Sequence, residues 1–354
     1  MINNKKIVFI LGSMRRGGAE RVVSIIANHY FQKAWKVDII LLLSGKCEYE
    51  INPKIRIISL ANEAKTRLSQ IPRWFFGIRS YLKENKPDSI LSFAARINII
   101  VAIAGIGIKK HLVVSERNDP LRDGRSVLVR MATNIIYPRV SKVIFQTKYA
   151  QSCFNTKIIR NSQIIPNPVS VNIKHKKERN GKIIAVGRLE PQKNHKLLIE
   201  AFKEVHDMFS QYSLIIYGEG SLRKELENMI SELNLTDLVY LPGNISNIHE
   251  EVSKAEFFVL TSDYEGLSNS LLEAMMMGLP CISTACAGSN EVIVSGQNGL
   301  LVPVGNRNKL IEAMIKFIND WEFALRLGME AEKTSIQFMP GTIIKKWEDV
   351  LEKS

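Results

Sequence analysis

The sequence predicts an α/β protein built from two doubly wound parallel-sheet domains that face a common cleft. Three observations predict this fold class. Short apolar runs alternate with helix-length segments of 3.6-residue periodicity along the whole chain. The alternation stops once, near residue 167, and then resumes, so the pattern occurs twice. The length of 354 residues also suits two domains.

The predicted strands are six segments in each half of the chain. Several are continuous apolar runs, which is the pattern of parallel strands that are buried on both faces. In the first half they are KIVFIL, WKVDIILLL, KIRIISL, SILSF, HLVVSE and KVIFQT, and in the second half KIIAVG, SLIIYG, LVYLPG, AEFFVLTS, PCIST and GLLVPV.

Three segments illustrate the predicted helices. An apolar stripe after the first strand predicts a helix that packs on the sheet; it consists of Ala19, Val22, Val23, Ile26 and Tyr30. The run from Ile97 to Ile108 predicts a buried helix, because it is shorter than the roughly 20 residues that span a bilayer. The segment GTIIKKWEDVLEKS predicts an amphipathic helix with its apolar stripe at Ile344, Trp347 and Leu351.

These elements predict an N-terminal domain over residues 1–166 and a C-terminal domain over residues 182–338. Between them, the prolines of IIPNPV and the charged KHKKERNG predict an exposed linker over residues 167–181. Residues 339–354 are expected to form a helix that packs back toward the N-terminal domain.

The positive charge is concentrated in the first half of the chain. Residues 1–166 contain 28 Lys and Arg against 10 Asp and Glu, a net +18, whereas the remainder contains 20 against 25, a net −5. This asymmetry predicts an anionic partner, and we expect an anionic membrane surface. A generally cationic surface without a specific partner is the alternative.

The segment KTRLSQIPRWFFGIRSYLKENK has two interpretations. Its aromatic and basic residues suit an interfacial amphipathic helix, whereas its apolar stripe suits a helix of the core. The stripe favours core packing and consists of Ile71, Phe75, Ile78 and Leu82.

The sequence also predicts a cellular compartment. Cys47, Cys153, Cys281 and Cys286 have neither disulfide-framework nor metal-ligand spacing, which predicts reduced thiols in a cytosolic protein. The run KKIVFIL leads straight into a glycine loop, so we interpret it as a strand rather than a secretory signal. We therefore expect a cytoplasmic protein that lies peripherally at the inner face of the plasma membrane.

Polar loops follow the predicted strands, at the positions where doubly wound sheets bind ligands. In GSMRRGGAER, Gly17 and Gly18 would let an anion approach amides at a helix N-terminus, although such glycines are as often structural. In GRLEPQKN, Arg188 and Lys193 would suit a diphosphate, with ordinary surface solvation as the alternative.

The segment SDYEGLSNSLLEAMMMGLP carries two carboxylates eight positions apart. Its N-cap residues SNS and its Gly-Leu-Pro stop predict a helix over residues 270–277. Glu265 would then lie in the loop before this helix and Glu273 near its first turn. Each carboxylate can accept hydrogen bonds from two sugar hydroxyls. For Glu273, compensation of the helix dipole is the alternative.

Together these motifs resemble the retaining glycosyltransferases of family 4. GR…K is followed about 70 residues later by YEG…LLEAMMMGLPCIST, and Glu265 and Glu273 match the family's E-x(7)-E motif. GGAERV, IIPNPV and GSNEVIVSGQNGLLVPVGN are also typical of that family. The resemblance spans nearly the whole chain and implies the GT-B fold, in which two Rossmann-like domains face a cleft.

The resemblance also implies residue roles. The C-terminal domain would bind a nucleotide diphosphate sugar, which in this family is usually UDP-linked. Arg188 and Lys193 would bind its diphosphate. Glu273 would hold the ribose, and Glu265 would contact the transferred sugar. The other implied donor contacts are Gly17, Gly18, Gly266, Leu267, Ser268 and Asn269.

The implied reaction is transfer with retention to a glycan or lipid-linked glycan in bacterial surface polysaccharide synthesis. The acceptor would attack from the face of the leaving group and pass its proton to a donor phosphate oxygen, unlike the two-carboxylate hydrolases. The resemblance implies no metal and no other cofactor, because arginine, lysine and helix dipoles supply the electrostatic stabilisation. The acceptor would contact the N-terminal domain.

One loop departs from the family pattern. In VVSERNDP, Arg117 stands where many relatives carry a histidine, and an arginine cannot act as a base at neutral pH. It could still bind a sugar hydroxyl or a phosphate. SERND resembles a subgroup of surface-polysaccharide transferases, so Glu116 and Arg117 are kept as candidate catalytic residues.

Three other functions fit parts of the sequence less well. A nucleotide-sugar epimerase or hydrolase would share the fold, but the E-x(7)-E pattern argues against it. A basic nucleic-acid-binding protein is disfavoured because zinc-finger spacing and an RRM signature are both missing, so no nucleic-acid partner is expected. A nicotinamide dehydrogenase is disfavoured because G-x-G-x-x-G does not follow the first strand.

Overall fold

The chain folds as two units joined by two chain crossings. Unit 1 comprises Met1–Pro168 and Pro340–Ser354, and unit 2 comprises Val169–Met339. The computed structural model describes residues 5–15, 17–108 and 111–352.

Unit 1 is built on a parallel sheet with seven strands in the described ranges. The strands are β1 (Lys6–Leu11), β2 (Lys36–Leu41), β3 (Arg56–Ser59), β4 (Ser89–Phe93), β5 (His111–Glu116), β6 (Lys142–Phe145) and β7 (Ser162–Ile164). Their order is β3-β2-β1-β4-β5-β6-β7, and every paired neighbour is parallel. This order, which runs outward in both directions from β1, is that of a doubly wound sheet.

Helices cover both faces of this sheet. They are α1 (Gly18–Gln32), α2 (Ile71–Asn85), α3 (Ala95–Ala104), α4 (Val127–Ile136), α5 (Lys148–Ser152) and α6 (Thr156–Arg160). One face of the sheet packs against Val22, Ile26 and Tyr30 of α1. The other face packs against Ile78 of α2 and Val101 of α3. Burial on both faces explains why the strands are continuous apolar runs.

Unit 2 has a sheet of six strands within the described residues. The strands are β8 (Lys182–Val186), β9 (Ser213–Tyr217), β10 (Val239–Gly243), β11 (Phe257–Leu260), β12 (Cys281–Thr284) and β13 (Leu300–Val302). The order is β10-β9-β8-β11-β12-β13 with parallel pairing throughout. The helices are α7 (His195–Met208), α8 (Arg223–Glu232), α9 (Ile248–Ser253), α10 (Asn269–Met277), α11 (Ala287–Asn290), α12 (Arg307–Asn319) and α13 (Trp321–Ser335).

The predicted fold class is confirmed, and all twelve predicted strand segments form strands. The prediction missed β7, a three-residue strand with the sequence SQI. Ser162 and Gln163 give this strand no apolar run, so its place is set by pairing with β6 rather than by its own pattern.

Residues 167–181 expose most of their charged side chains, as the sequence predicts, but they pack on unit 2 rather than forming a free linker. Val169 is fully buried, and its N–H donates to Phe338 O at 2.9 Å. The His175 N–H donates to Met277 O at 2.9 Å, and its ring Nε2 lies 2.9 Å from Ala255 O. From Val169 onward the segment therefore belongs to unit 2. Its charged residues solvate an outer edge, while its backbone and His175 satisfy buried groups of that unit.

The last helix, α14 (Pro340–Leu351), belongs to unit 1. Its buried stripe consists of Ile343, Trp347, Val350 and Leu351, so Ile343 rather than the predicted Ile344 faces the core. The Ser89 hydroxyl also donates to Leu351 O at 2.6 Å. The helix thus covers the same face of the unit 1 sheet as α1.

Helix α2, for which the sequence left two interpretations, packs in the core. Trp74, Ile78 and Leu82 are buried against the sheet. The buried face is shifted from the predicted stripe: Trp74 joins it and Ile71 is exposed, while Phe75 is partly buried against the same core and Phe76 is exposed. The core interpretation is therefore correct for most of this helix.

Candidate functional site

In the unit 2 sheet, strands are added on one side of β8 as far as β10 and then on its other side from β11 onward, so β8 lies between β9 and β11. The chain leaves β8 toward β9 and later returns to the other side of β8 as β11. Loops that follow β8 and β11 therefore leave the same edge of the sheet, which is where doubly wound folds bind ligands. These loops are residues 187–194 and 261–268, and they carry half of the predicted site residues.

Hydrogen bonds fasten these two loops to each other. The Asp263 N–H donates to Gln192 O at 2.9 Å, and the Gln192 side-chain amide donates to Tyr264 O at 2.9 Å. The Thr261 hydroxyl donates to Lys193 O at 3.0 Å. Backbone groups outside regular structure thus find partners, and the side chains between them are held in defined positions.

Lys193 and Glu265 form an ion pair within this frame. Lys193 is only 8% exposed, and the Ser262 hydroxyl lies 3.3 Å from the same carboxylate oxygen of Glu265. A Cβ on Gly187 would lie 3.3 Å from Cδ of Lys193, so the glycine gives the lysine stem room to cross the strand end. The structure therefore brings together two residues that are 72 positions apart in the chain.

Arg188 differs from Lys193 in exposure. It lies at the surface, and its guanidinium reaches the Gln192 side-chain oxygen at 3.5 Å, the limit of a hydrogen bond. One edge of the sheet thus presents a buried ammonium held in an ion pair and an exposed guanidinium. Such a combination can bind a diphosphate, because the guanidinium fork can adjust to oxygens that the lysine already attracts.

Helix α10 begins beside this pair. Its N-cap is Ser268, whose hydroxyl accepts a hydrogen bond from the Leu271 N–H at 3.4 Å, and its C-cap is Gly278 with φ +82°. These caps confirm the predicted helix to within one residue. Gly266, Leu267, Ser268 and Asn269 therefore approach the helix N-terminus, where the dipole favours an anion.

A close backbone contact sets the position of the loop before α10. The Gly288 N–H donates to Glu265 O at 3.1 Å, and a Cβ on Gly288 would lie 2.0 Å from the carbonyl oxygen of Gly266. No side chain fits in that space. Gly288 therefore acts on the site indirectly, because it lets the turn after β12 support the Glu265 loop.

Glu273 is the fifth residue of α10 and is largely buried. Nε2 of His249, on α9, lies 3.4 Å from its Oε2 atom. Sequence reasoning missed His249, because it lies 24 residues earlier in a segment, NIHEEV, without a motif of its own. The contact holds the Glu273 carboxylate at the side of α10 that faces α9.

Asn194 and His195 were also missed, although both adjoin Lys193. Asn194 has a left-handed backbone with φ +46°, caps α7 and donates to Asp263 Oδ1 at 2.8 Å. His195 is buried, and burial together with the nearby Lys193 charge lowers its pKa to about 4. His195 is therefore neutral at physiological pH, and its ring packs beneath the strand end.

The predicted residues of unit 1 lie in a different environment. Gly17 is the N-cap of α1 and Gly18 its first residue. The Gly17 N–H donates to the Tyr49 hydroxyl at 3.1 Å, and that hydroxyl donates to Gly17 O at 2.8 Å. Tyr49 thus holds the glycine turn, a contact that the sequence did not predict.

Glu116 lies inside a buried polar network. Arg125 Nη2 donates to its Oε2 atom at 2.7 Å, and the Tyr137 hydroxyl donates to its Oε1 atom. Asn98 in turn donates to the Tyr137 hydroxyl at 2.9 Å. Burial raises the pKa of Glu116, and the charge of Arg125 opposes that shift. The network fixes the loop between β5 and α4.

Arg117 bridges three parts of unit 1. Its Nε donates to the Ser115 hydroxyl at 2.8 Å and its Nη1 to Ile165 O at 2.9 Å. Its guanidinium carbon lies 5.2 Å from the ring centroid of Trp347 in α14, a cation–π contact. Burial lowers its pKa to about 9, so it remains charged at neutral pH. Glu116 and Arg117 thus stabilise the fold, and their role in catalysis stays a prediction.

Metal binding and membrane spanning both lack support within residues 5–15, 17–108 and 111–352. No group of three or more His, Cys, Asp or Glu in those ranges could hold a metal ion. Nor does any helix in the part of the chain that is described have the length and apolar character needed to cross a bilayer.

Comparisons with known proteins agree with this geometry. Residues 169–334 match the family model described as glycosyl transferases group 1. A Campylobacter jejuni protein, GalNAc-alpha-(1->4)-GalNAc-alpha-(1->3)-diNAcBac-PP-undecaprenol alpha-1,4-N-acetyl-D-galactosaminyltransferase, is 25% identical over 97% of this chain and 97% of its own length. The chain is a glycosyltransferase of the GT-B fold. The resemblance to glycosyltransferases is thereby confirmed, while retention stays a prediction.

Two further comparisons extend this result. A second similar protein from Campylobacter jejuni is N-acetylgalactosamine-N,N'-diacetylbacillosaminyl-diphospho-undecaprenol 4-alpha-N-acetylgalactosaminyltransferase. It is 27% identical over 89% of this chain and 91% of its own length. Among solved structures, Anabaena Alr3699/HepE in complex with UDP superposes with a TM-score of 0.84. It covers 99% of this chain and 100% of its own at 20% identity, which shows the shared fold.

Proposed function

We propose that this glycosyltransferase moves a sugar from a UDP-sugar to a glycan or lipid-linked glycan in bacterial surface polysaccharide synthesis, with retention of anomeric configuration. The observation that carries the proposal is the Lys193–Glu265 pair, which lies with exposed Arg188 at the edge of the unit 2 sheet where neighbouring strands β8 and β11 end. Both Campylobacter relatives are named for acceptors that contain a diphosphate and undecaprenol. The Anabaena structure contains UDP.

Arg188 and Lys193 have complementary roles toward the donor diphosphate. When the sugar departs, negative charge develops on the phosphate oxygen that held it, and cations placed beforehand lower the free energy of that state. Lys193 is buried, so its charge is less screened by water than that of Arg188. Arg188 would close on the diphosphate as it binds.

Glu265 and Glu273 would bind hydroxyl groups. In the proposed complex, Glu265 contacts the transferred sugar and holds Lys193 in place, while Glu273, supported by His249, accepts hydrogen bonds from the ribose. The N-terminal amides of α10 would add contacts to phosphate and sugar. We propose that the reaction needs no metal cofactor, because these cations and the helix terminus supply the charge stabilisation.

The proposed reaction needs no enzymatic nucleophile. The bond between the anomeric carbon and the phosphate oxygen breaks, and its electron pair leaves with UDP. The acceptor hydroxyl oxygen bonds to the same face of that carbon, and its proton moves to the departing phosphate oxygen. Glu265 then positions the sugar and stabilises positive charge at the anomeric carbon; its ion pair with Lys193 suits that role better than covalent attack.

The acceptor is assigned to unit 1. The net charge of +18 over residues 1–166 would attract an acceptor that is carried in an anionic membrane. We therefore propose a peripheral enzyme at the inner face of the plasma membrane, where its lipid-linked substrate is available.

The proposal is tested by transfer assays with a panel of UDP-sugars and an undecaprenyl-diphosphate glycan acceptor, in which UDP release and glycan product are measured together. We expect Arg188→Ala and Lys193→Ala to lose at least about 100-fold in kcat/KM. Lys196→Ala is the matched control, because Lys196 is exposed and paired with Glu225 on the neighbouring helix, and it should stay within about twofold.

Two outcomes would contradict the proposal. UDP released equally fast without acceptor would indicate a hydrolase, since no sugar would be transferred. With an α-linked donor, a product that is β-linked in its early NMR spectrum would exclude retention.

A further inference from the structure

Helix α4 of unit 1 exposes an apolar face. Val127, Leu128, Met131 and Ile135 are each between 57% and 76% exposed. Their spacing places them along one side of the helix. Within α4, which is fully described, Thr133 is the buried residue. Single exposed apolar side chains are ordinary on a protein surface, but a continuous stripe marks an interaction surface.

The apolar surface continues onto the end of α3. Helices α3 and α4 pack side by side, and Ile103 and Ile106 at the end of α3 are exposed. A groove of about 410 Å³ is lined on one side by these two isoleucines and on the other by Ile136 and Val140. Ile136 and Val140 come after the exposed stripe of α4 in the sequence. We call the surface formed by the exposed residues of α4, Ile103 and Ile106 the α4 surface.

The charge around the α4 surface has a single sign. Four arginines are exposed among the described residues of the range 94–142, namely Arg96, Arg122, Arg130 and Arg139. The acidic residues of this range are not exposed: Glu116 and Asp123 bind Arg125, and Asp119 is buried. The exposed charged residues described in this range are therefore cationic, and none of the carboxylates described there is exposed.

We propose that the α4 surface inserts into the interface of an anionic lipid bilayer. Apolar side chains would enter the boundary between headgroups and acyl chains while arginines contact lipid phosphates, the arrangement of interfacial amphipathic helices. A two-fold dimer through this surface is less favourable, because it would bring the arginines of both copies together without exposed carboxylates from this range to pair with them.

The inference rests on the proposed function in one respect, that the acceptor is carried in a membrane. It locates that contact on α4 rather than on α2, whose Trp74, Ile78 and Leu82 are in the core. Because the network of Glu116, Arg125 and Tyr137 fixes the loop that leads into α4, the surface is held in a defined position on unit 1.

The test is cosedimentation of the full chain with vesicles of phosphatidylglycerol and phosphatidylcholine at low and high salt. We expect wild-type protein to bind anionic vesicles at low salt and to be released at high salt. Leu128→Ser/Met131→Ser should weaken binding at least tenfold. The matched control is Val294→Ser/Met329→Ser, which removes two exposed apolar side chains of unit 2 and should bind as wild type.

The charge contribution is tested in the same way. Arg122→Gln/Arg130→Gln should weaken binding to anionic vesicles roughly 30-fold at low salt, if each arginine near the surface contributes as basic residues usually do. Lys309→Gln/Lys333→Gln removes the same charge from exposed sites of unit 2 and is the control.

Three results would overturn the inference: no binding of wild type to anionic vesicles at low salt, equal loss in surface and control variants, or a dimer that Leu128→Ser/Met131→Ser converts to monomer without a change in vesicle binding. Circular dichroism checks the fold of each variant. The UDP-induced thermal shift of the wild type reports separately on the proposed donor site, so its loss would contradict the proposed function and leave the vesicle result interpretable.

Discussion

The Lys193–Glu265 pair allows catalysis and stability to be separated. The two side chains are only 10% and 14% exposed, so both charges are largely removed from water. Lys193→Met keeps the length of the side chain but leaves the Glu265 carboxylate without its cation. Removing one partner of a buried pair costs about 3–5 kcal/mol, and we expect about 3 kcal/mol because some solvent reaches this pair. In a unit of about 170 residues this corresponds to a fall in Tm of roughly 6–12 °C.

The double variant Lys193→Met/Glu265→Gln distinguishes the two effects. It removes both charges, so it should recover most of the lost stability, since an unpaired buried charge is no longer present. It should not recover activity, because the cation that stabilises the departing phosphate is still missing. Both variants should lose at least 100-fold in kcat, about 2.7 kcal/mol.

Calorimetric unfolding and single-turnover transfer of the wild type, both single variants and the double variant form a complete cycle. The reasoning is refuted if Lys193→Met unfolds at the wild-type temperature and retains kcat within tenfold. Recovery of activity in the double variant would show that Lys193 serves only to neutralise Glu265.

Three further predictions follow from the site. Glu273→Ala should lower kcat/KM at least about 100-fold while His249→Gln lowers it less than tenfold, because the imidazole orients the carboxylate without binding donor; equal losses in the kinetic assay would contradict this order. Gly288→Ala should destabilise the protein by roughly 2 kcal/mol, since its Cβ would collide with a backbone oxygen 2.0 Å away. An unfolding midpoint in urea equal to that of the wild type would show that the loop can move to accommodate the methyl group at little cost. Burial holds the pKa of His175 and of His195 at about 4. The unfolded chain, with histidine pKa values near 6.5, therefore binds more protons between pH 6.5 and 4, and stability falls there by up to about 1.4 kcal/mol per pH unit for each histidine. Urea unfolding of His195→Gln, measured at several pH values in this window, should give a free energy of unfolding that depends less steeply on pH than that of the wild type. An equally steep dependence would contradict the pKa shift.

Corrections to the sequence-based expectations share a physical origin. The charged segment KHKKERNG is mostly exposed, as its pattern predicts, yet it is not a free linker, because His175 hydrogen-bonds to Met277 and Ala255. Periodicity reports which side chains avoid water, but it does not report which backbone groups pair over a long sequence separation. The same reason explains β7, which pairs with β6 although only Ile164 of its three residues is strongly β-forming.

Local patterns in the sequence determined the elements and much of the candidate site. Continuous apolar runs predicted parallel strands, SNS and Gly278 bounded α10, and the spacing of Glu265 and Glu273 identified the family motif. Each of these signals operates within a few residues, through caps, periodicity or turn chemistry, and can be recognised without knowledge of the rest of the chain.

Tertiary structure alone decided which of these residues contact each other. It paired Lys193 with Glu265 and buried Arg117 beneath Trp347, although each pair is separated by many residues in the chain. It also left the apolar face of α4 exposed, where its pattern in isolation would suit a core helix. Burial and ion pairing depend on the surroundings that distant segments create, so their outcome is set when the sheets assemble and is not encoded in any local pattern.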